Sequence, residues 1–355
     1  MGTVSLAGAI EAGDRRALAK GITLIESSRN DHRERAARLL AALPAPRVPA
    51  LRVALSGAPG VGKSTFIEAL GLQAIGRGRR IAVLSVDPSS RLSGGSILGD
   101  KTRMEALSRK PEAYIRPSPA GTTLGGVARR TREAILLCEA AGFDLIIVET
   151  VGVGQSEVRA AEMTDVFLLL LLPFGGDELQ GIKRGIMELA DIVVVNKADG
   201  GQRPAALRTV AEYRNALRLL RPHTPGWRPV VEACSALTGE GIESVWGHLL
   251  AHRRVVEIGG ELEQRRRGQS VSWLWEELSE QLMAWLDQEA GIRVPVGEYE
   301  ALVAEGRLAP PVAARRILSE VLARAVRSVP GREGEAPGPA LHSDPARAPG
   351  GGETS

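Results

Sequence analysis

The chain has 355 residues, 44% hydrophobic and 3% aromatic, with 45 Lys and Arg against 42 Asp and Glu, a net charge of +3. This length leaves room for one large domain and an appendage, and the composition is that of a globular fold. The mild, diffuse basicity argues against a nucleic-acid partner, and neither Cys138 nor Cys234 lies in a cluster with metal-ligand spacing.

Residues 1–46 carry helix formers at apolar spacing, and Pro44, Pro46 and Pro49 close the segment, so an N-terminal helical extension is expected there. Residues 1–20 show no leader, and the longest apolar run, 166–172, is too short to span a bilayer. A cytoplasmic location and no membrane partner are therefore expected. Over 47–252 apolar runs alternate with amphipathic stretches. Strands are expected at 52–56, 81–86, 144–149, 166–172, 192–195 and 230–233. Runs such as Leu145-Ile146-Ile147-Val148 are apolar at every position, as in strands buried on both faces. The expected fold class is α/β: a P-loop NTPase with a mostly parallel sheet flanked by helices, plus helical extensions at both ends. From about residue 253 the pattern is helical again. Val271, Trp275, Leu278, Leu282 and Trp285 recur on one helix face, which either packs on the chain's own domain or forms a subunit interface. Residues 330–355, rich in Gly, Pro and Ala without aromatics, are expected to be a disordered tail.

The most informative segment is Gly57-Ala58-Pro59-Gly60-Val61-Gly62-Lys63-Ser64-Thr65, a G-x-x-x-x-G-K-[ST] loop between an apolar run and a helix-like stretch. Its glycines let successive backbone N–H groups face one anion, and the helix N-terminus adds positive potential. Lys63 is expected at the β- and γ-phosphates and the Ser64 hydroxyl on Mg²⁺. The base is addressed by Asn196-Lys197-Ala198-Asp199, which follows the run 192–195. The Asp199 carboxylate can accept from both guanine N1–H and the 2-amino group, a donor pair that adenine lacks. Lys197 can lie over the base, and Asn196 can tie this turn to the phosphate loop. Ser235, Ala236 and Leu237 follow the last strand, and the Ala236 N–H is expected at guanine O6. The expected ligands are GTP or GDP with Mg²⁺.

Asp87 and Glu149 end strands, and Asp100 follows in Gly99-Asp100-Lys101. With Ser64 they form the candidate magnesium set, since Mg²⁺ takes hard oxygens and keeps several waters. Lys63, Asp100 and Glu149 are singled out as the groups acting on the reacting phosphate. Gly152 is expected to sense the γ-phosphate through its N–H. The next residue is Val153, not a water-orienting glutamine, so slow intrinsic hydrolysis that a partner stimulates is expected.

Taken together, the motifs resemble the methylmalonyl-CoA mutase-associated GTPases, the MeaB/ArgK-type group of the metallochaperone-like P-loop GTPases. The resemblance is carried by Val86-Asp87-Pro88-Ser89-Ser90, Gly99-Asp100-Lys101-Thr102-Arg103, Glu149-Thr150-Val151-Gly152-Val153-Gly154-Gln155-Ser156-Glu157 and Gly176-Asp177-Glu178-Leu179-Gln180-Gly181-Ile182-Lys183, besides the phosphate loop. It runs from about residue 8 to 329 and departs from the family pattern at Arg91-Leu92-Ser93, Ala120-Gly121-Thr122 and Phe174. The resemblance implies a homodimeric GTPase with a C-terminal dimerisation arm at 253–329. It would bind an adenosylcobalamin-dependent acyl-CoA mutase, gate cofactor loading, and protect or reactivate the mutase. It also implies that 87–104 and 151–157 are switches, and that Asp177, Glu178, Gln180 and Lys183 couple nucleotide state to the partner. Two other readings share the fold. One is a nickel-type metal-insertion GTPase, for which His248 and His252 lack a cysteine companion. The other is a P-loop protein kinase, for which no hydroxyl-activating Asp motif is evident.

Overall fold

The computed structural model describes residues 2–27, 29–46, 48–86, 104–117, 124–150, 155–173, 184–288 and 290–327. Seven strands, β1 (Leu51–Gly57), β2 (Ile81–Val86), β3 (Ala113–Arg116), β4 (Leu145–Thr150), β5 (Val166–Leu171), β6 (Ile192–Val195) and β7 (Val230–Ala233), form one sheet in the order β3-β2-β4-β1-β5-β6-β7. Every pairing is parallel. β1 is central, with Leu55 opposite Glu149 on β4 and Gly57 opposite Leu170 on β5. The carboxyl ends of β1, β4, β6 and β7 therefore share one edge of the sheet, where ligands bind in such sheets. β3 is not anticipated from the sequence. It is a four-residue edge strand, Ala-Tyr-Ile-Arg, with Pro111 before it and Pro117 after it, and its single branched aliphatic residue gives no recognisable apolar run.

Helices cover both faces: α1 (Thr3–Glu11), α2 (Arg15–Glu26), α3 (Asn30–Ala41), α4 (Lys63–Gly76), α5 (Glu105–Ser108), α6 (Leu124–Ala140), α7 (Gln155–Ala161), α8 (Arg184–Leu189), α9 (Arg203–Arg218), α10 (Ile242–Ile258) and α11 (Glu261–Gln288). Strand residues alternate between two cores, as the two-residue period of a strand requires. Ala54, Ile146, Val148, Phe167, Leu169, Val193 and Val195 pack with Ile10, Leu18, Ile22, Leu39, Ile135 and Tyr213. On the other face Val53, Leu55, Ile147, Leu168, Leu170 and Val194 pack with Phe66, Leu70, Leu107, Val245 and Leu249. The N-terminal helices thus close one layer against α6. α2 starts at Asp14, whose carboxylate accepts from the N–H groups of Arg16 and Ala17 at 2.7 and 3.2 Å.

The chain forms two compact units, Met1–Trp275 and a second that begins at Glu276. The start of α11 belongs to the first. There Arg266 grips Asp165 through Nε and Nη2 at 2.9 and 2.6 Å, and Arg52 pairs with Glu139 at 2.9 and 2.7 Å. In the second unit α12 (Ala290–Ala304) and α13 (Pro310–Arg327) pack together, and the Tyr299 hydroxyl donates to Glu320 at 2.6 Å. Among the described residues no helix is long and apolar enough to cross a membrane.

Candidate nucleotide-binding site

The phosphate loop joins the end of β1 to the first residue of α4, Lys63. Two of its glycines are required by close approaches. A Cβ at Gly57 would sit 2.6 Å from the Leu170 carbonyl on the neighbouring strand. Gly62 has φ +95°, and a Cβ there would sit 2.7 Å from Asn196 Nδ2. Lys63 is half-buried and donates to the Gly57 and Ala58 carbonyls at 2.8 and 3.4 Å. Burial pushes its pKa below the ordinary lysine range, and the carboxylates of Glu149 and Glu157 oppose that shift.

Three loops meet at Asn196, which is 2% exposed. Its Nδ2 donates to the Val61 carbonyl in the phosphate loop at 2.9 Å, and its Oδ1 accepts the Ala236 N–H at 3.0 Å. The Ala236 amide that sequence reading assigns to guanine O6 is thus directed to Asn196. Asp199 and Ser235 also meet, with Ser235 Oγ donating to Asp199 Oδ1 at 2.7 Å and accepting from the Thr238 N–H at 3.2 Å. Between Asn196 and Asp199 the chain makes a tight bend. Lys197 has φ 59°, the one positive φ outside glycine among the described residues. The left-handed region disfavours residues with a Cβ, so a surrounding structure must hold it. The bend is fixed by Ala198 N–H donating to the Cys234 carbonyl at 2.9 Å.

Of the candidate magnesium residues, Ser64 lies in the first turn of α4 and Glu149 is half-buried near the end of β4. Glu149 lies opposite Ser85 on β2, whose buried Oγ has no hydrogen-bond partner among the described residues. These are hard oxygen donors next to a phosphate loop, a set that fits Mg²⁺. Asp87, Asp100, Gly152, Val153, Phe174, Asp177, Glu178, Gln180 and Lys183 lie outside the described residues. One group that the sequence reading placed only within the expected switch 151–157 stands directly behind the loop. Glu157, 0% exposed, accepts from Ser56 Oγ at 3.3 Å and from Ser156 Oγ at 3.2 Å.

The family described as methylmalonyl-CoA mutase-associated GTPase MeaB matches residues 18–290. The chain belongs to this family. A probable GTPase of Mycobacterium tuberculosis H37Rv is 52% identical over 313 residues, 88% of this chain and 93% of that protein. The mouse methylmalonic aciduria type A homolog, mitochondrial, is 48% identical over 88% of this chain and 78% of its own length. A crystal structure described as LAO/AO transport system kinase superposes with a TM-score of 0.71 and 35% identity, covering 90% of this chain and 97% of that one. Membership makes this a P-loop GTPase whose ligand is a guanine nucleotide. The seven-stranded parallel sheet flanked by helices is the fold that its motifs imply.

Proposed function

We propose that the chain hydrolyses GTP as the chaperone of an adenosylcobalamin-dependent acyl-CoA mutase, methylmalonyl-CoA mutase first among them, gating cofactor loading and protecting or reactivating the enzyme. One observation carries the nucleotide half of this reading. Asn196 joins the phosphate loop to the two loops that bear Asp199 and Ala236, so the base reader and the triphosphate cradle are one rigid assembly. The family description and the mouse relative support the mutase half.

In this reading Gly57, Pro59, Gly60, Val61, Gly62 and Thr65 shape the phosphate cradle, and Lys63 turns from its own loop carbonyls to the β- and γ-phosphates. Asp199 Oδ1 is held by Ser235, which orients the carboxylate toward N1–H and the 2-amino group of guanine. With the Ala236 amide engaged by Asn196, the Leu237 N–H takes guanine O6. Ser64, Asp87, Asp100 and Glu149 would hold Mg²⁺, which when bound neutralises phosphate charge. Val153 orients no water, so the isolated protein is slow, and Asp177, Glu178, Gln180 and Lys183 relay nucleotide state to the mutase. The chain acts as a homodimer. Its support is the α11 face, where Trp275 is 63% and Leu282 50% exposed.

The test is a single-turnover GTPase assay with and without the mutase, paired with a pull-down using a non-hydrolysable GTP analogue. A mutase recovered in a nucleotide-dependent way, with faster hydrolysis in its presence, is expected. Equal rates with and without the mutase contradict the proposal. The relative described as a transport system kinase gives a second reading, phosphoryl transfer to a protein. The acceptor of the radiolabelled γ-phosphate, water or protein, separates the two.

A further inference from the structure

A carboxylate without contact to solvent lies behind the phosphate loop, and nothing in the nucleotide site as described uses it. Glu157 stands in the first turn of α7 and is wholly buried. Its oxygens accept from two buried hydroxyls. Ser56 Oγ, on the last strand residue before Gly57, reaches Oε1 at 3.3 Å, and Ser156 Oγ reaches Oε2 at 3.2 Å. A buried charge with two neutral donors contributes little to stability, and an apolar residue of the same volume would fill the space more favourably. Lys63, on the loop itself, lies near enough for Glu157 to act on its charge.

The place of this contact in the chain is what gives it meaning. β4 ends at Thr150 and α7 begins at Gln155, so residues 151–154 join the two. Thr150 Oγ1 donates to the Leu55 carbonyl at 3.5 Å, and Ser56 Oγ donates to Glu157. Both flanks of the connection therefore contact consecutive residues of β1, the strand that runs straight into the phosphate loop. A shift of α7 is felt at Ser56 and hence at Gly57.

We propose that Glu157 is a positioning residue for GTP hydrolysis, whose bridge to Ser56 holds the start of α7 in register with the phosphate loop. The inference rests on the nucleotide reading above and adds to it a named mechanical link. It concerns the hydrolysis step, not ground-state binding, because neither Glu157 nor Ser56 is exposed to a ligand.

The experiment is single-turnover GTP hydrolysis, with GDP affinity measured in parallel, for wild type, Ser56→Ala, Glu157→Met, the double variant and Glu157→Gln. Ser56→Ala and Glu157→Met are each expected to slow hydrolysis about tenfold, with GDP affinity held within about threefold, since a small misplacement of reacting groups costs rate before it costs binding. The double variant should be no slower than the worse single one, because the two residues act through one contact. Glu157→Gln keeps an acceptor for Ser56 and should recover most of the rate, which a role in folding alone would not produce. If Glu157→Met does not fold, Ser56→Ala and Glu157→Gln carry the same test. Ser56→Ala or Glu157→Met hydrolysing at the wild-type rate, or a double variant slowed by the product of the two single effects, overturns the inference. A wild type that binds no GTP removes the nucleotide reading as well, so the two failures are distinguishable.

Discussion

Asn196 and Asp199 are three residues apart and do different work. Asn196 spends both ends of its amide inside the protein, on Val61 and Ala236. Asp199 is held at one oxygen by Ser235, and in the proposed reading its carboxylate faces the base. Replacing Asn196 by alanine leaves a buried carbonyl and a buried N–H unpaired. It should lower unfolding stability by about 1–3 kcal/mol and weaken GTP and GDP together, as denaturant unfolding and calorimetry would report. Asp199→Asn should act on the base alone. An amide cannot accept from both N1–H and the 2-amino group, so GTP affinity should fall roughly a hundredfold. The amide can donate to the 2-oxo group of xanthine, so xanthosine triphosphate should gain. A variant that lost both nucleotides equally would mean that Asp199 holds structure and does not read the base. The residue types were legible in the sequence because both motifs are short and local. The direction of the Ala236 amide was not, since it depends on a contact forty residues away.

At the scale of elements, the start of α11 is tied to the first unit by charge. Burial by itself would raise the pKa of the Asp165 carboxyl, but the Arg266 hydrogen bonds and charge, with Arg52, outweigh it and hold the carboxyl below the usual range. A depressed carboxyl pKa stabilises the fold above the unfolded value, about 3.9, and that contribution is lost as pH falls through the folded one. Asp165→Asn removes the buried carboxylate that Arg266 and Arg253 share and should cost about 3 kcal/mol at neutral pH. Urea unfolding should show the gap between variant and wild type narrowing below about pH 4, and a gap independent of pH would contradict this assignment. None of this pairing is visible in the sequence, where Arg52, Glu139, Asp165 and Arg266 are scattered among other charges. The long-range partners of a buried ion pair carry no local pattern. The apolar face of α11 was legible as a helix stripe, but what covers it was not. In the proposed homodimer a second copy covers it, so Trp275→Glu should convert a sedimenting dimer to monomer while leaving GTP affinity unchanged, and a wild type that sediments as a monomer would contradict this.

For the whole molecule, the largely apolar runs were enough to give six of seven strands and a parallel sheet, because a strand buried on both faces carries apolar residues at most positions. The edge strand β3 escaped because an edge needs neither length nor an unbroken apolar run. The integration of α1, α2 and α3 into the core against α6 was also beyond local pattern. Their helical period says that one face is buried but not against what. The account of the site depends on the sheet bringing three distant loops to one edge, and on one of them choosing the base. Titration calorimetry of the full chain with GTP and with ATP, in the presence of magnesium, tests this most directly. GTP should bind at least about a hundredfold more tightly than ATP, the discrimination that a matched buried hydrogen-bond pair provides. Equal affinities, or binding of neither nucleotide, would contradict the account.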